Sequence, residues 1–342
     1  MKPPARRRST SPPPPAARRL PRRWSPALLT KVSAATSSRT PRRSWASTTG
    51  RRRPRAHSPP SREPPLADNL SSLAIIIVTY NSTTEIGPCL DSLVGHTDPF
   101  PTSITVVDNA SSDGTAALVR ARWPSVHVIA SPTNVGFSRA NNLGIRATGG
   151  DYVLLMNPDT VAPPGAIQTL VRGLAAHPDA AIAGARLLSE RGFPELSWGD
   201  PIGPWNELKR KAFSMLYYRK IRRIVRKVDK LSRQAREVAW VSGACMVIRR
   251  PDLEAVGLLD ERYFMYTEDV DLCVAMTKRG RTVLYVAAAE VLHHRGRSAA
   301  RNPATERLYR QSQVAYYEKH LPRWAGLLRA YLKLTGKSAA DG

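Results

Sequence analysis

Asp108 and Asp159, each closing an apolar run, are side chains of this sequence whose type and position could do chemistry. Asp159 closes the run Tyr152-Val153-Leu154-Leu155-Met156-Asn157-Pro158-Asp159, in which an apolar stretch stops at an amide, a proline and a carboxylate. Asn-Pro and Pro-Asp are good turn formers, so a plain turn explains that ending taken alone. A divalent-cation site explains it as well, because hard cations such as Mg²⁺ or Mn²⁺ take carboxylate and amide oxygens. Asp159 would be the anionic ligand and Asn157 a neutral one. Asp108 ends the apolar run Ile104-Thr105-Val106-Val107 and suits a different task, accepting the N3–H of a uracil or thymine ring. Thr267-Glu268-Asp269 reads as a helix start, with Thr267 as N-cap and two acids against the positive end of the dipole. That setting would also hold the Asp269 carboxylate as an anion. His293 and His294 alternate faces if they lie on a strand, so at most one of them enters a site.

Positioning these residues requires a regular frame, and the pattern supplies one from Leu73 onward. Leu73–Tyr80 is a continuous β-branched run, as expected of a strand buried on both faces of a parallel sheet. Further strands are read at 103–110, 126–131 and 151–157, separated by helix-length segments. Strands alternating with helices form a doubly wound sheet. Beyond Pro163 we read a helix at 166–177, a strand over 180–188 and one long basic helix over 205–234. A strand pair or bent strand follows at 238–250, then a helix closed by Gly280 and two short strands, Thr282–Val286 and Glu290–His294. The last forty residues read as helix broken by Pro322.

A parallel sheet sets the ends of its strands along one edge, where open α/β folds bind their ligands. Here those ends are Thr79-Tyr80-Asn81, Asp108-Asn109, the segment Thr133–Asn142, and Asn157-Pro158-Asp159. Four polar termini on one edge favour a binding crevice over four independent turns. The dinucleotide fingerprint and the Walker A loop are both absent after the first strand, so the crevice lacks a backbone phosphate cradle. A diphosphate can then be held through a carboxylate-bound metal.

The chain has 342 residues and a formal charge of +25, of which roughly +15 falls in residues 1–70. That segment is rich in Arg, Pro and Ser and cannot bury enough apolar surface to offset its ordering entropy; we expect a disordered tail. No stretch reaches the length of a membrane-spanning helix. Cys89, Cys245 and Cys273 lack C-x-x-C spacing and are expected to be reduced buried thiols of a cytosolic protein.

Seven segments in order, VTYN, VVDNASSDGT, NVGFSRANNLGI, LLMNPDT, VSGACMVIRR, LLDERYFMYTEDVDL and VLHHRGRS, closely resemble the inverting family 2 glycosyltransferases with the GT-A fold, rhamnosyltransferase-like members in particular. The resemblance spans residues 73–300. It implies an α/β, mostly parallel sheet with a Rossmann-like nucleotide-binding half and an acceptor half, over about 71–300. The C-terminal helices, 301–342, would pack on or flank that domain. It further implies a donor pocket made by Thr79, Tyr80, Asn81, Asp108, Asn109, Asn134, Gly136 and Asn141. Asn157-x-Asp159 stands where many members have Asp-x-Asp, leaving Asp159 as the main contact of a Mg²⁺ or Mn²⁺ ion. His293 matches a further metal ligand, with His294 left to packing, and Asp269 matches the general base.

The implied reaction is transfer of a sugar from a dTDP- or UDP-linked donor, rhamnose among the candidates, with inversion. The acceptor would be a glycan or a polyprenyl-linked glycan in cell-wall or surface polysaccharide synthesis. The basic helix and tail suit peripheral docking on the anionic inner face of the plasma membrane, without nucleic acid as a partner. Two other classes stay open: a nucleotidyltransferase on a similar sheet, which would usually carry an Arg/Lys-containing Gly-rich loop where this chain has YNSTTE, and a basic nucleic-acid-binding protein.

Overall fold

The computed structural model describes residues 71–96, 99–294 and 303–337. The expected tail, and the Gly296 and Ser298 that accompany the His293 motif, lie outside them.

Strand β1 (Leu73–Thr79) is buried along its whole length. Its side chains alternate between two cores: Ile75 and Ile77 face one, Ile76 and Val78 the other. This period of two, apolar on both sides, makes it a central strand. Helix α1 (Ile86–Leu93) buries Ile86, Cys89, Leu90 and Leu93, the i, i+3, i+4, i+7 stripe of one helix face. Pro88 lies within its first turn, where a missing N–H costs nothing. β2 (Thr102–Asp108), α2 (Thr115–Arg122), β3 (His127–Ala130), α3 (Phe137–Arg146) and β4 (Tyr152–Met156) complete the alternation. These strands are parallel and ordered β3-β2-β1-β4, with Thr79 beside Asp108 and Ile77 beside Met156.

The sheet then changes character. Beyond β5 (Thr160–Val161), α4 (Ala166–Ala175) and β6 (Ala180–Leu188) come β7 (Trp198–Gly199), α5 (Pro204–Tyr218), α6 (Arg222–Ser232), β8 (Arg236–Glu237), β9 (Trp240–Val241) and β10 (Cys245–Arg249). α7 (Arg250–Ala255), α8 (Glu268–Lys278), β11 (Thr282–His293), α9 (Pro303–His320) and α10 (Pro322–Leu334) follow. β10 is wedged antiparallel between β4 and β6, β11 runs parallel to β6, and β5 and β8 pair antiparallel with β11. One core lies against α1 and α4, the other against α3, α8 and the C-terminal helices. Tyr316, Tyr317 and Ala325 of the last two helices are buried in the second.

Two expectations need correction, and one strand is new. The single basic helix is two, α5 and α6, broken at Lys220, whose φ of 58° lies in the left-handed region. Periodicity ran through this elbow because apolar residues sit on both sides of it. The two short strands near the end are one, β11, joined across a bulge where Val286 pairs with Ala185 and Glu290 with Arg186. Strand β5 was not anticipated. Two residues show no period, and its pairing partner lies more than 130 positions away.

Candidate active site

β5 brings the metal-ligand candidates together. Its pairing sets Thr160 opposite His293, and the backbone N–H of His294 donates to the Asp159 carbonyl at 2.8 Å. Nε2 of His293 thereby lies 3.3 Å from Oδ1 of Asp159, and its Nδ1 lies 2.9 Å from Oε2 of Glu195. His293 is 6 % exposed. Burial pushes its imidazole down, but the two carboxylates outweigh that and lift it to about 9. Burial also pushes Asp159 up, and the imidazole more than offsets it, leaving Asp159 below its ordinary value. His294 is on the outer side, half exposed, with Nδ1 2.8 Å from Glu190 Oε1, so it meets a surface carboxylate and does not pack.

Sequence reasoning missed Glu195. It lies in Phe193-Pro194-Glu195, a stretch without periodicity, and only the fold shows that its carboxylate reaches the ring. A carboxylate on Nδ1 orients a metal-binding histidine and frees Nε2 for the ion. Among the described residues no cluster of three or more His, Cys, Asp or Glu converges on one point. Asp159 and His293 could between them offer an ion one oxygen and one nitrogen, leaving its remaining positions to other ligands such as water. Asn157 turns its backbone inward: its carbonyl accepts from Thr160 N and Oγ1, and its N–H donates to Ala244 O at 3.0 Å.

That last bond leads to the candidate base. Gly243, beside Ala244, donates its N–H to Oδ2 of Asp269 at 2.9 Å, and Val270 N–H donates to Oδ1 at 2.8 Å. The start of β10 thus links Asp269 to Asn157 and Asp159. Tyr266 and Thr267, immediately before, both have φ of 71°. Left-handed backbone at a β-branched residue is uncommon and strained, and such strain gathers at functional sites. Thr267 occupies the N-cap position as expected but makes no side-chain capping bond.

The expectation that the helix start holds Asp269 as an anion is also overturned. Burial lifts it above the ordinary aspartate value, against the bonds from Gly243 and Val270 and the charge of Arg210 on α5. Desolvation here exceeds the dipole. Glu268 is lifted well above its usual value by burial and by Asp269. It is 6 % exposed, and among the described residues its Oε2 has no hydrogen-bond partner.

On the other side of the crevice, Asp108 is buried and accepts from Thr79 Oγ1 at 3.1 Å and from Ser111 N at 3.1 Å. A carboxylate has about four lone-pair sites, so it can accept a further N–H. Asn81, with φ of 52°, accepts from Ser112 N at 2.8 Å and lashes the first loop to the second. Tyr80 is exposed beside them. Asn109 donates to Asn134 Oδ1 at 2.8 Å and accepts from Val135 N at 2.9 Å, while Asn141 donates to Phe137 O. These amides hold the third loop in shape. Gly136 caps it with φ of 86°, and a Cβ there would lie 2.6 Å from the carbonyl oxygen of Phe264. Phe137 N–H donates to that same oxygen. The donor-side loop and the segment leading to Asp269 therefore meet at a glycine.

Residues 74–257 match the family described as Glycosyl transferase family 2. An N-acetylglucosaminyl-diphospho-decaprenol L-rhamnosyltransferase of Mycobacterium tuberculosis is 30% identical over 291 residues, 76% of this chain and 89% of the relative. The low-salt glycan biosynthesis hexosyltransferase Agl10 of Haloferax volcanii is 26% identical, covering 70% of this chain and 73% of its own. The solved mannosyltransferase PcManGT of Pyrobaculum calidifontis, in complex with GDP-Man and Mn²⁺, shares the fold at a TM-score of 0.52. Its identity is 18%, over 76% of this chain and 69% of that one. The chain belongs to glycosyltransferase family 2 and is a rhamnosyltransferase-like glycosyltransferase with the expected mixed α/β architecture. The nucleotidyltransferase and nucleic-acid-binding readings are not favoured.

Proposed function

We propose that the enzyme transfers a sugar, rhamnose among the candidates, from a dTDP- or UDP-linked donor to a polyprenyl-diphosphate-linked glycan with inversion. One observation carries this reading. Asp108 lies two strands from β4, about 10 Å across the edge, the reach of a nucleoside from its diphosphate. Beyond β4 the Asp159–His293 pair and Asp269 meet at the start of β10. The name of the M. tuberculosis relative supports the acceptor class, and that of the H. volcanii relative a role in glycan biosynthesis.

In this reading Thr79, Tyr80, Asn81 and Asp108 receive the base and ribose. Asn109, Asn134, Gly136 and Asn141 keep the pocket wall in place. Asp159 and His293, with Asn157 at the turn, hold a Mg²⁺ or Mn²⁺ ion, and Glu195 fixes the histidine. Such an ion supplies charge to neutralise the departing diphosphate. Asp269 takes the proton of the acceptor hydroxyl as it attacks the anomeric carbon from the face opposite the diphosphate. Its lifted pKa suits that role, because a weakly basic carboxylate takes a proton poorly.

Among the described residues no helix is long and apolar enough to cross a membrane. α5 exposes Trp205, Leu208, Met215 and Tyr218 among Lys209, Lys211 and Arg219. Apolar and basic residues on one helix favour contact with an anionic lipid surface, which supports cytoplasmic-face docking where a lipid-linked acceptor is presented. The test is release of nucleotide from a panel of dTDP-, UDP- and GDP-sugars with Mn²⁺ and a polyprenyl-diphosphate N-acetylglucosamine acceptor. Release dependent on both metal and acceptor is expected. Release from no donor in the panel would overturn the reading.

A further inference from the structure

A cavity of ≈ 560 Å³ lies between the turn at 189–195 and the elbow joining α5 to α6. Phe193, Tyr218 and Val225 give it an apolar wall, and Lys220, Arg222 and Arg226 also line it. Among the described residues none of these three cations is paired with a carboxylate, although neighbouring basic residues are. Arg233 pairs with Asp229, and buried Arg186 pairs with Asp229 and Glu290, anchoring α6 to the sheet. Arg222 opens α6, so the positive end of an eleven-residue helix faces the same region. Glu195 also lines the cavity, with its Oε2 turned to His293, so the cavity backs onto the Asp159–His293 pair.

An apolar wall with an unneutralised cationic rim fits a ligand that is a hydrocarbon at one end and a polyanion at the other. We infer that this cavity is the acceptor's anchor: the diphosphate rests on Lys220, Arg222 and Arg226, and the first isoprene units lie on Phe193, Tyr218 and Val225. The inference rests on the acceptor class proposed above and adds the place where that acceptor is gripped. Free inorganic phosphate satisfies the cations but leaves the apolar wall wet, and an uncharged prenol does the reverse. Only the joined molecule satisfies both. Gripping the diphosphate here would leave the sugar beyond it to extend past Glu195 toward the site.

The test uses the full chain and farnesyl diphosphate as probe, in EDTA so that metal-dependent diphosphate binding at Asp159 is silent. Arg222→Ser combined with Arg226→Ser should weaken farnesyl diphosphate binding at least about tenfold, the worth of one charge-assisted hydrogen bond. Farnesol and inorganic pyrophosphate should each bind far more weakly than farnesyl diphosphate to the unaltered protein. Arg223→Ser, the same charge change one residue along and outside the cavity lining, should leave the affinity alone. In turnover, the double variant should raise KM for the polyprenyl-diphosphate acceptor while KM for the donor stays fixed.

Unchanged farnesyl diphosphate affinity in the double variant would overturn the site, as would an equal loss in Arg223→Ser. Loss of binding to phosphatidylglycerol vesicles with farnesyl diphosphate binding intact would make these cations a membrane contact, and would overturn it too. Failure of the acceptor class is read separately, in the unaltered enzyme, as transfer to no lipid-diphosphate acceptor.

Discussion

The two halves of the sheet are built differently. On the donor side, β1 to β4 run parallel, and their end loops are tied by short-range polar bonds. Asn81 holds Ser112, Thr83 holds Asp113, and Asn109 holds Val135. On the acceptor side the strands reverse direction, β11 bulges, and the important contacts join residues about 100 positions apart, such as His293 with Glu195 and Arg186 with Glu290. The donor half is a rigid receptacle whose polar groups are largely satisfied. Among the described residues, the acceptor half keeps cations without a carboxylate partner and a buried Glu268 oxygen without a hydrogen bond. A nucleotide presents the same base and diphosphate each time, so a preformed pocket suits it, whereas the acceptor must be gripped and activated.

The sharpest way to separate the halves is Asp269→Asn. It keeps the shape of the side chain and removes its basicity. Turnover should fall by about 10²–10⁴-fold, the usual worth of a positioned base. Donor affinity should hold, because Asp269 takes its hydrogen bonds from Gly243 and Val270 and none directly from the residues proposed to hold the donor. Kinetics with calorimetry on the same protein checks both, and a parallel loss of donor affinity would merge the two halves.

Glu195→Gln is next. It belongs to the acceptor half by position, and in the proposed metal site it would act on the ion through His293. We expect Mn²⁺-dependent nucleotide binding to weaken by about 10–100-fold, as for other carboxylates behind a ligating histidine. Binding measured without metal should not change. If metal dependence stays normal, His293 is not a ligand.

Gly136→Ala attacks the joint. The new Cβ meets the Phe264 carbonyl at 2.6 Å on a backbone of φ 86°. The substitution should cost about 1–3 kcal/mol of stability from backbone strain alone, visible as a lower denaturant midpoint. It should also reduce turnover more than donor affinity, since Phe264 leads into the strained Tyr266-Thr267 turn. A variant with unchanged stability would mean that the 134–137 loop moves freely from Phe264.

The same contrast explains what could be read from sequence. β1 to β4 follow from β-branched runs with turn residues at their ends, because parallel strands buried on both faces leave a dense local signal. Asp108, Asp159 and Asp269 could be placed for the same reason, each standing at the edge of a regular element. Glu195, the cavity and the short strand β5 could not. Glu195 and β5 take their meaning from pairings across more than 90 residues, and the cavity from a turn and a helix elbow folded together, none of which a local period encodes. The elbow at Lys220 was hidden by amphipathicity running through it. The pKa of Asp269 was misjudged because helix position is visible in a sequence and desolvation is not.

The smallest expected effect concerns the charges around Asp269. Arg210, which reaches Tyr309 Oη and stacks near Trp240, lowers the aspartate's pKa against the larger effect of burial. Arg210→Gln removes that cation, so the carboxylate becomes harder to ionise. The base works deprotonated, and activity is lost as pH falls through its pKa. The acid limb of the kcat profile should therefore move up, with donor KM unchanged. Glu268 supplies the contrast. Burial and the neighbouring Asp269 lift it well above its usual value, which favours its neutral form. If that neutral form persists while Asp269 titrates, Glu268→Gln exchanges one neutral group for another and leaves the acid limb in place. Were Glu268 the ionised member of the pair, removing its charge would shift the limb down, and turnover would fall if it were itself the base. Measuring the two pH profiles side by side decides which carboxylate takes the acceptor's proton.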